Sequence, residues 1–263
     1  MSGVLVNTVG VNTIGVNTVL LNTVVREPVY LLHSRHYRET SLLIDVFSLN
    51  YGVLRLVVKG ALRPSNPLKG MLQLFQPLLI SWQGRSELKN LTDVEFTNRL
   101  SSLRGDYLYS AMYLNELVVR LVHPNDPSPQ LFSAYADVMG GLGDGEPLET
   151  ILRLFEFRML TELGAFPSFT EEAGSGQSII PLAYYYWQPE QGFIKANSYI
   201  THTHTFRGAQ LAALSVTDFS QKETRLAAKH LSRLMIDHLL GGRVLKSREL
   251  ITKSRELKKR CLR

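Results

Sequence analysis

Eight basic side chains, Arg35, Arg38, Arg55, Lys59, Arg63, Lys69, Arg85 and Lys89, are interleaved with Tyr37, Tyr51, Phe75 and Trp82 in one stretch of the chain. Lys and Arg along a groove neutralise phosphates, and flat rings give unpaired bases a stacking surface worth about 1–3 kcal/mol per base. The chemistry on offer is nucleic-acid binding, against the plainer reading that these charges only keep a surface soluble. Phe75 and Trp82 sit in apolar runs and read as core. A second group is Arg153 and Arg158, which share a helical stretch with Leu152, Phe155 and Phe157. A cation beside bulky apolar side chains is what captures a peptide ending in a carboxylate. The local alternative pairs Arg153 with Glu149 at i−4 and Arg158 with Glu162 at i+4. A third group, His202 and His204, puts two imidazoles on one face of a strand, but no third ligand follows at motif spacing, so no metal is expected.

Catalytic constellations are missing from the sequence. It contains no GxxxxGK[ST] phosphate loop, no GxGxxG after a strand, no GxSxG elbow and no HExxH. The single cysteine, Cys261, lies in a basic tail without an ordered base and has no partner for a disulfide, which favours a reducing compartment. The residues point to a binding protein and away from an enzyme.

The elements that must position these residues follow from hydrophobic period. Val29–His36, Ser41–Leu49, Val53–Lys59, Met71–Trp82 and Glu87–Phe96 are short runs rich in Val, Ile, Leu and aromatic residues, divided by turn chemistry at Asn50-Tyr51-Gly52 and Gln83-Gly84-Arg85. Five strands in so short a stretch predict a small closed barrel, for which the oligonucleotide-binding fold is the leading form. The gap Gly60–Gly70 reads as a mobile basic loop. The period then changes to helical. Tyr107–Val122 offers Leu108, Met112, Leu114, Leu117, Val118 and Leu121 as its apolar face; Gln130–Gly140 and Leu148–Leu163 follow, and the three make a small bundle. Beyond Pro167 come an aromatic run, Leu182–Trp187, a strand ending near Phe206 and a short helix. Next is a helix over Gln221–Leu240 with Ser220 and Glu223 as a capping box. Last is a basic tail in which Lys246-Ser247-Arg248-Glu249-Leu250 recurs seven residues later. That duplication reads either as a basic helix or as a slip that lengthened the tail.

The 263 residues, 44% hydrophobic and 20% charged, describe a soluble globular chain with ample core. The pI near 9.4 and net charge of +6 are unevenly spread. Residues 1–25, a VNT-type repeat too short and polar to cross a membrane, carry no charge; 26–105 hold 11 Lys/Arg against 6 Asp/Glu, 106–221 hold 5 against 13, and 222–263 hold 13 against 4. Two basic ends around an acidic middle suggest separate surfaces for separate partners, with a polyanion at the ends.

Leu32-His33-Ser34-Arg35, Arg38-Glu39-Thr40-Ser41-Leu42, Asp45-Val46-Phe47 and Val58-Lys59-Gly60-Ala61 strongly resemble the start of bacterial RecO recombination-mediator proteins. Leu68-Lys69-Gly70, Asn115-Glu116-Leu117, Phe206-Arg207-Gly208 and Leu245-Lys246-Ser247-Arg248-Glu249-Leu250 continue the resemblance over Val29 to Leu250. It implies an α+β multidomain chain. The expected units are a repeat extension (1–25), a five-stranded OB barrel (26–98), a helical bundle (99–165) and a mixed C-terminal region packed on the bundle (166–263). It further implies binding of single- and double-stranded DNA and annealing of strands coated with single-strand-binding protein. Help to RecA loading at gaps, together with RecR, is implied too, in the bacterial cytoplasm at the nucleoid and without a membrane. DNA contact is expected from Arg35, Arg38, Lys59, Arg63, Lys69 and Lys89, and capture of the acidic tail of single-strand-binding protein from Arg153, Phe155 and Arg158. Many such proteins carry a four-cysteine zinc site where this chain reads FTEEAGSGQS (169–178), so no metal or other cofactor is expected. The residues by themselves leave open an RNA-associated barrel protein or a protein-only scaffold.

Overall fold

The computed structural model describes residues 22–196 and 205–261. Most of the N-terminal repeat and the His202/His204 pair lie outside them. Five strands, β1 (Thr23–Tyr37), β2 (Ser41–Ser48), β3 (Gly52–Val58), β4 (Pro77–Gln83) and β5 (Lys89–Phe96), close in the order β1-β2-β3-β5-β4. Every contact in the ring is antiparallel except β3 with β5. β1 starts inside the stretch expected to be an extension, because Val24 pairs with Trp82 and joins the barrel core. The fourth strand begins six residues later than its hydrophobicity suggests: α1 (Leu68–Met71) occupies the start of that run, and Phe75 takes a positive φ of 65°.

β2 is buried along its length except at half-buried Asp45, which fits its mostly apolar sequence SLLIDVFS. Leu42, Ile44 and Val46 fill the barrel, while Phe47 turns outward and meets Phe132 and Tyr135 edge-on at 5.4 and 5.8 Å. Buried Glu27 ties the barrel's β2–β3 turn to β1, accepting from the Ser48 hydroxyl at 2.6 Å and from Asn50 N–H and Nδ2 at 2.8 and 3.0 Å. Gly52 closes that turn with a φ of 67°, and a Cβ there would sit 2.3 Å from the Asp126 carbonyl oxygen of the neighbouring helical loop. Only glycine fits that approach.

The bundle consists of α2 (Gly105–Leu121), α3 (Pro129–Asp144) and α4 (Leu148–Glu162). The Ser128 hydroxyl caps α3, which runs on past Gly140 and ends at Gly145, left-handed at φ 77°. Met112 proves exposed, Leu114, Leu117 and Val118 are buried as expected, and Ser110 and Asn115 also face inward. Asn115 donates to the Leu32 carbonyl at 2.9 Å and accepts from the Tyr135 hydroxyl, a buried bridge between barrel and bundle. Tyr30, Leu32, Phe47 and Val53 belong to the same core as the helices, so the barrel and bundle share a packed interface.

The C-terminal part adds β6 (Tyr184–Gln188), β7 (Gly192–Lys195) and β8 (Thr205–Arg207) in the order β7-β6-β8, then α5 (Gly208–Ser215), α6 (Lys222–Leu239) and α7 (Lys246–Cys261). Ser220 does not cap α6. Gln221 holds that position, and the Arg225 guanidinium donates back to the Phe219 and Ser220 carbonyls, each at 2.7 Å. The duplicated tail is helical. Its first copy docks on α2: Glu116 accepts from Lys246 N–H, Ser247 N–H and the Ser247 hydroxyl at 3.1, 2.9 and 2.7 Å. A carboxylate at a helix N-terminus satisfies orphan donors and complements the dipole.

Candidate nucleic-acid interface

At one end of the barrel the β1–β2 turn, the end of β3 and the connection to α1 come together. Arg38 makes the turn with a φ of 55° and its guanidinium lies over the Tyr37 ring, 5.2 Å from the centroid. Leu62 N–H donates to Thr40 O at 2.9 Å, which sets the segment holding Lys59 and Arg63 against that turn. The connection Gly60–Gly70 is therefore folded rather than a free loop: Ala61 is fully buried, and the Asn66 side chain accepts from Leu68 N–H at 2.9 Å to start α1. Lys69 sits on α1, and Lys89 opens β5 opposite Leu56 of β3. Arg35 lies on β1 opposite Leu43.

Arg35, Arg38, Lys59, Arg63 and Lys69 are exposed and Lys89 is half-buried. None of the six is ion-paired to another described residue. Arg55 is different, because its Nε donates to Asp45 Oδ1 at 2.6 Å. The strand 2–3 face and the loops after strands 1 and 4 are where OB folds hold oligonucleotides. Here that region presents free cations, with Arg85 in the loop after β4. Trp82 is buried in the barrel and Phe75 in the helical core, as their apolar neighbours suggested. This surface therefore presents charge and neither of those two rings.

A second charged feature lies between α2, α4, α6 and α7, a cleft of about 220 Å³. Arg153 forms its floor. The pair is not with Glu149, which meets Lys229 at 3.7 Å, but with Glu156 at 2.6 Å, and Nη1 donates to Ser232 of α6 at 3.2 Å. The Tyr113 hydroxyl donates to the same Glu156 carboxylate at 2.8 Å, and burial, then that carboxylate, pushes the phenol far above its ordinary range, so it stays a donor. Arg153 retains 9% side-chain exposure, and its Nε is buried without a hydrogen-bond partner. Leu148, Leu152 and Ile251 supply apolar wall, and Lys229, Arg233 and Arg248 supply charge.

Phe155 and Arg158 do not line this cleft. Phe155 is 1% exposed and packs in the core edge-on to Tyr135. Arg158 lies five residues from Arg153, about 140° around the helix at 100° per residue. It pairs with Glu162 at 3.1 Å, as its spacing suggested, and borders a separate groove with Leu154 and Phe166.

Two family models match the chain, "Recombination protein O N terminal" over residues 23–100 and "Recombination protein O C terminal" over 102–249. Among curated relatives, the DNA repair protein RecO of Cellvibrio japonicus is 41% identical over 226 residues, 86% of this chain and 96% of that protein. The RecO proteins of Methylococcus capsulatus (42%, covering 86% and 92%) and Nitrosospira multiformis (38%, covering 88% and 96%) are similarly alike. The chain belongs to the RecO family. RecO is a family of DNA repair and recombination proteins, and the exposed cations of the barrel lie within its N-terminal module.

The zinc site that the RecO resemblance implies does not fit this chain. The segment Phe169–Ser178 offers no cysteine, and among the described residues no three His, Cys, Asp or Glu side chains gather as a metal site. Hydrogen bonds and rings hold the segment: Ala173 N–H donates to Phe193 O at 2.7 Å, Lys195 N–H to Glu172 Oε1 at 3.3 Å, and Phe169 packs on Phe166 and Phe193 at 5.2 and 5.4 Å. Sequence reasoning missed the cations that α6 and α7 bring over α4. In the sequence they read only as a basic tail, because the fold that sets them beside Arg153 is long-range.

Proposed function

We propose that this chain is a non-enzymatic recombination mediator that binds single- and double-stranded DNA through the barrel end. It lowers the repulsion between complementary strands so that they pair. The observation that carries this reading is the group of five exposed cations around the β1–β2 turn, the end of β3 and α1, with half-buried Lys89 on β5, none of the six tied to an acid among the described residues. In the same reading the acidic tail of single-strand-binding protein docks in the cleft. Its bulky apolar end meets Leu148, Leu152 and Ile251 and its carboxylates meet Lys229, Arg233 and Arg248. Arg153 then acts from the floor by holding α6 to α4 through Ser232. Tethering to the coat raises the local concentration of the protein on coated strands. With RecR, the annealed or cleared strand is passed to RecA at gaps, in the bacterial cytoplasm.

The test is annealing of complementary oligonucleotides, bare and coated with single-strand-binding protein, by wild type and by Lys229→Glu/Arg233→Glu. Both residues are exposed, so the fold tolerates the change. Wild type is expected to anneal both substrates and the variant only the bare one. Equal annealing of coated strands by the variant removes the cleft from the account. Failure of wild type on bare strands removes the mediator reading, and a preference for RNA would then favour an RNA-associated barrel protein.

A further inference from the structure

The outer face of β1–β2–β3 carries a cross-strand row that lies on the sheet itself. His33 on β1 stands opposite Asp45 on β2, and Asp45 stands opposite Arg55 on β3. Arg55 donates from Nε to Asp45 Oδ1 at 2.6 Å, while His33 Nδ1 lies 3.9 Å from Oδ2 on the other side. The Asp45 side chain is 13% exposed and that of Arg55 51%. The carboxylate therefore lies low in the sheet, and the guanidinium reaches past it to solvent. Nearer the barrel end, Arg35 faces Leu43, Leu43 faces Val57, and Val57 faces Asn90, so the trio continues toward the loop cations.

The bond from Arg55 uses Nε alone, and Nη1 and Nη2 have no hydrogen-bond partner among the described residues. That leaves both terminal nitrogens of the guanidinium free for a phosphate, on a side chain whose other end is already fixed. An arginine fixed at one end loses less rotamer freedom on binding than a free one. Simple charge counting gives the opposite role to Asp45: an acid in the middle of a DNA-binding face should repel phosphate. Resting on the reading of the barrel as the DNA-binding module, we infer that Arg55 contacts the DNA backbone from the sheet and that Asp45 is its positioning residue.

The two roles separate by the sign of one effect. Binding of a labelled oligo-dT strand to the full chain is followed by fluorescence anisotropy across a salt series, for wild type, Arg55→Gln, Asp45→Ala and Asp45→Asn. Arg55→Gln is expected to weaken binding in dilute salt and to lower the salt slope by about 1, the value for one phosphate fewer neutralised. Asp45→Ala removes a negative charge and is nevertheless expected to weaken binding, about threefold to tenfold. Asp45→Asn, whose amide oxygen still accepts from Nε, is expected to recover most of that loss. Tighter binding by Asp45→Ala, or a salt slope unchanged in Arg55→Gln, overturns the inference. Thermal unfolding of each variant without DNA separates a folding defect from a binding one, and the exposed Arg55→Gln keeps the test decisive if Asp45→Ala unfolds. If wild type binds DNA and Arg55→Gln matches it, only this inference falls; if wild type does not bind, the barrel reading falls with it.

Discussion

At the barrel end Arg35, Lys59, Arg63 and Lys69 are exposed and unpaired, whereas in the helical cleft the Arg153 guanidinium is buried against Glu156 and Ser232. The same kind of charge does two kinds of work. An exposed cation keeps its hydration until a phosphate arrives, so it costs the fold little and is ready to release counterions on binding. A buried cation must be compensated inside the protein, and its removal leaves the partner carboxylate stranded in a medium that solvates it poorly. Arg153 is thus a post between α4 and α6. Two of its five N–H donors are engaged, one on each Nη, and Nε is buried without a partner.

The widest gap between the regions should appear in stability. Arg153→Met leaves the Glu156 carboxylate, at 1% exposure, with the Tyr113 and Ser232 hydroxyls but without its cation, and is expected to cost about 3–5 kcal/mol in denaturant unfolding. Lys59→Ala should stay within about 0.5 kcal/mol of wild type in the same assay. Comparable costs for the two would erase the distinction.

Smaller, and specific to the wall of the cleft, is the loss expected at Glu116. Burial pushes its carboxyl up, but the Ser247 N–H and hydroxyl, the Lys246 N–H and the Arg120 guanidinium outweigh burial and hold it below the usual carboxylate range. A carboxyl depressed in the folded state stabilises fully above its unfolded pKa, and the contribution is lost as pH falls through the lower folded value. Protection of the amides along the first turns of α7, relative to their intrinsic exchange rates, should therefore fall on acidification through that window. Glu116→Gln should expose the same amides at neutral pH, at a cost of about 1–3 kcal/mol, and lose the pH dependence. An α7 indifferent to both changes would mean that Ile251 and its neighbours, not the carboxylate, hold the helix.

The barrel was the more legible of the two regions. Its strands are short apolar runs, its reversals carry Asn, Gly or a positive-φ residue, and such signals are local. The errors fell where a long-range contact decides. Thr23 and Val24 look like the end of a repeat until β4 is beside them, and the apolar start of the Met71–Trp82 run goes to α1 and the helical core instead of to a strand. The cleft was scarcely legible. Glu149 and Glu156 both lie at helical spacing from Arg153, and burial under α6, invisible in the spacing, selects Glu156. Phe155, two positions on from Arg153, suggested a shared binding face, but residues at that spacing point about 160° apart, and the core claimed the ring. The candidate residues whose surroundings were best read from sequence are those that the fold leaves exposed.

The most direct test is therefore DNA affinity across a salt series for wild type against Arg35→Glu/Lys59→Glu/Arg63→Glu/Lys69→Glu. All four positions are exposed, so the thermal midpoint should hardly move. We expect binding to weaken alike on every sequence and on single- and double-stranded DNA, with the salt slope falling by about 1 for each phosphate no longer neutralised. Unchanged affinity in dilute salt would contradict the assignment of this barrel end as the DNA-binding surface.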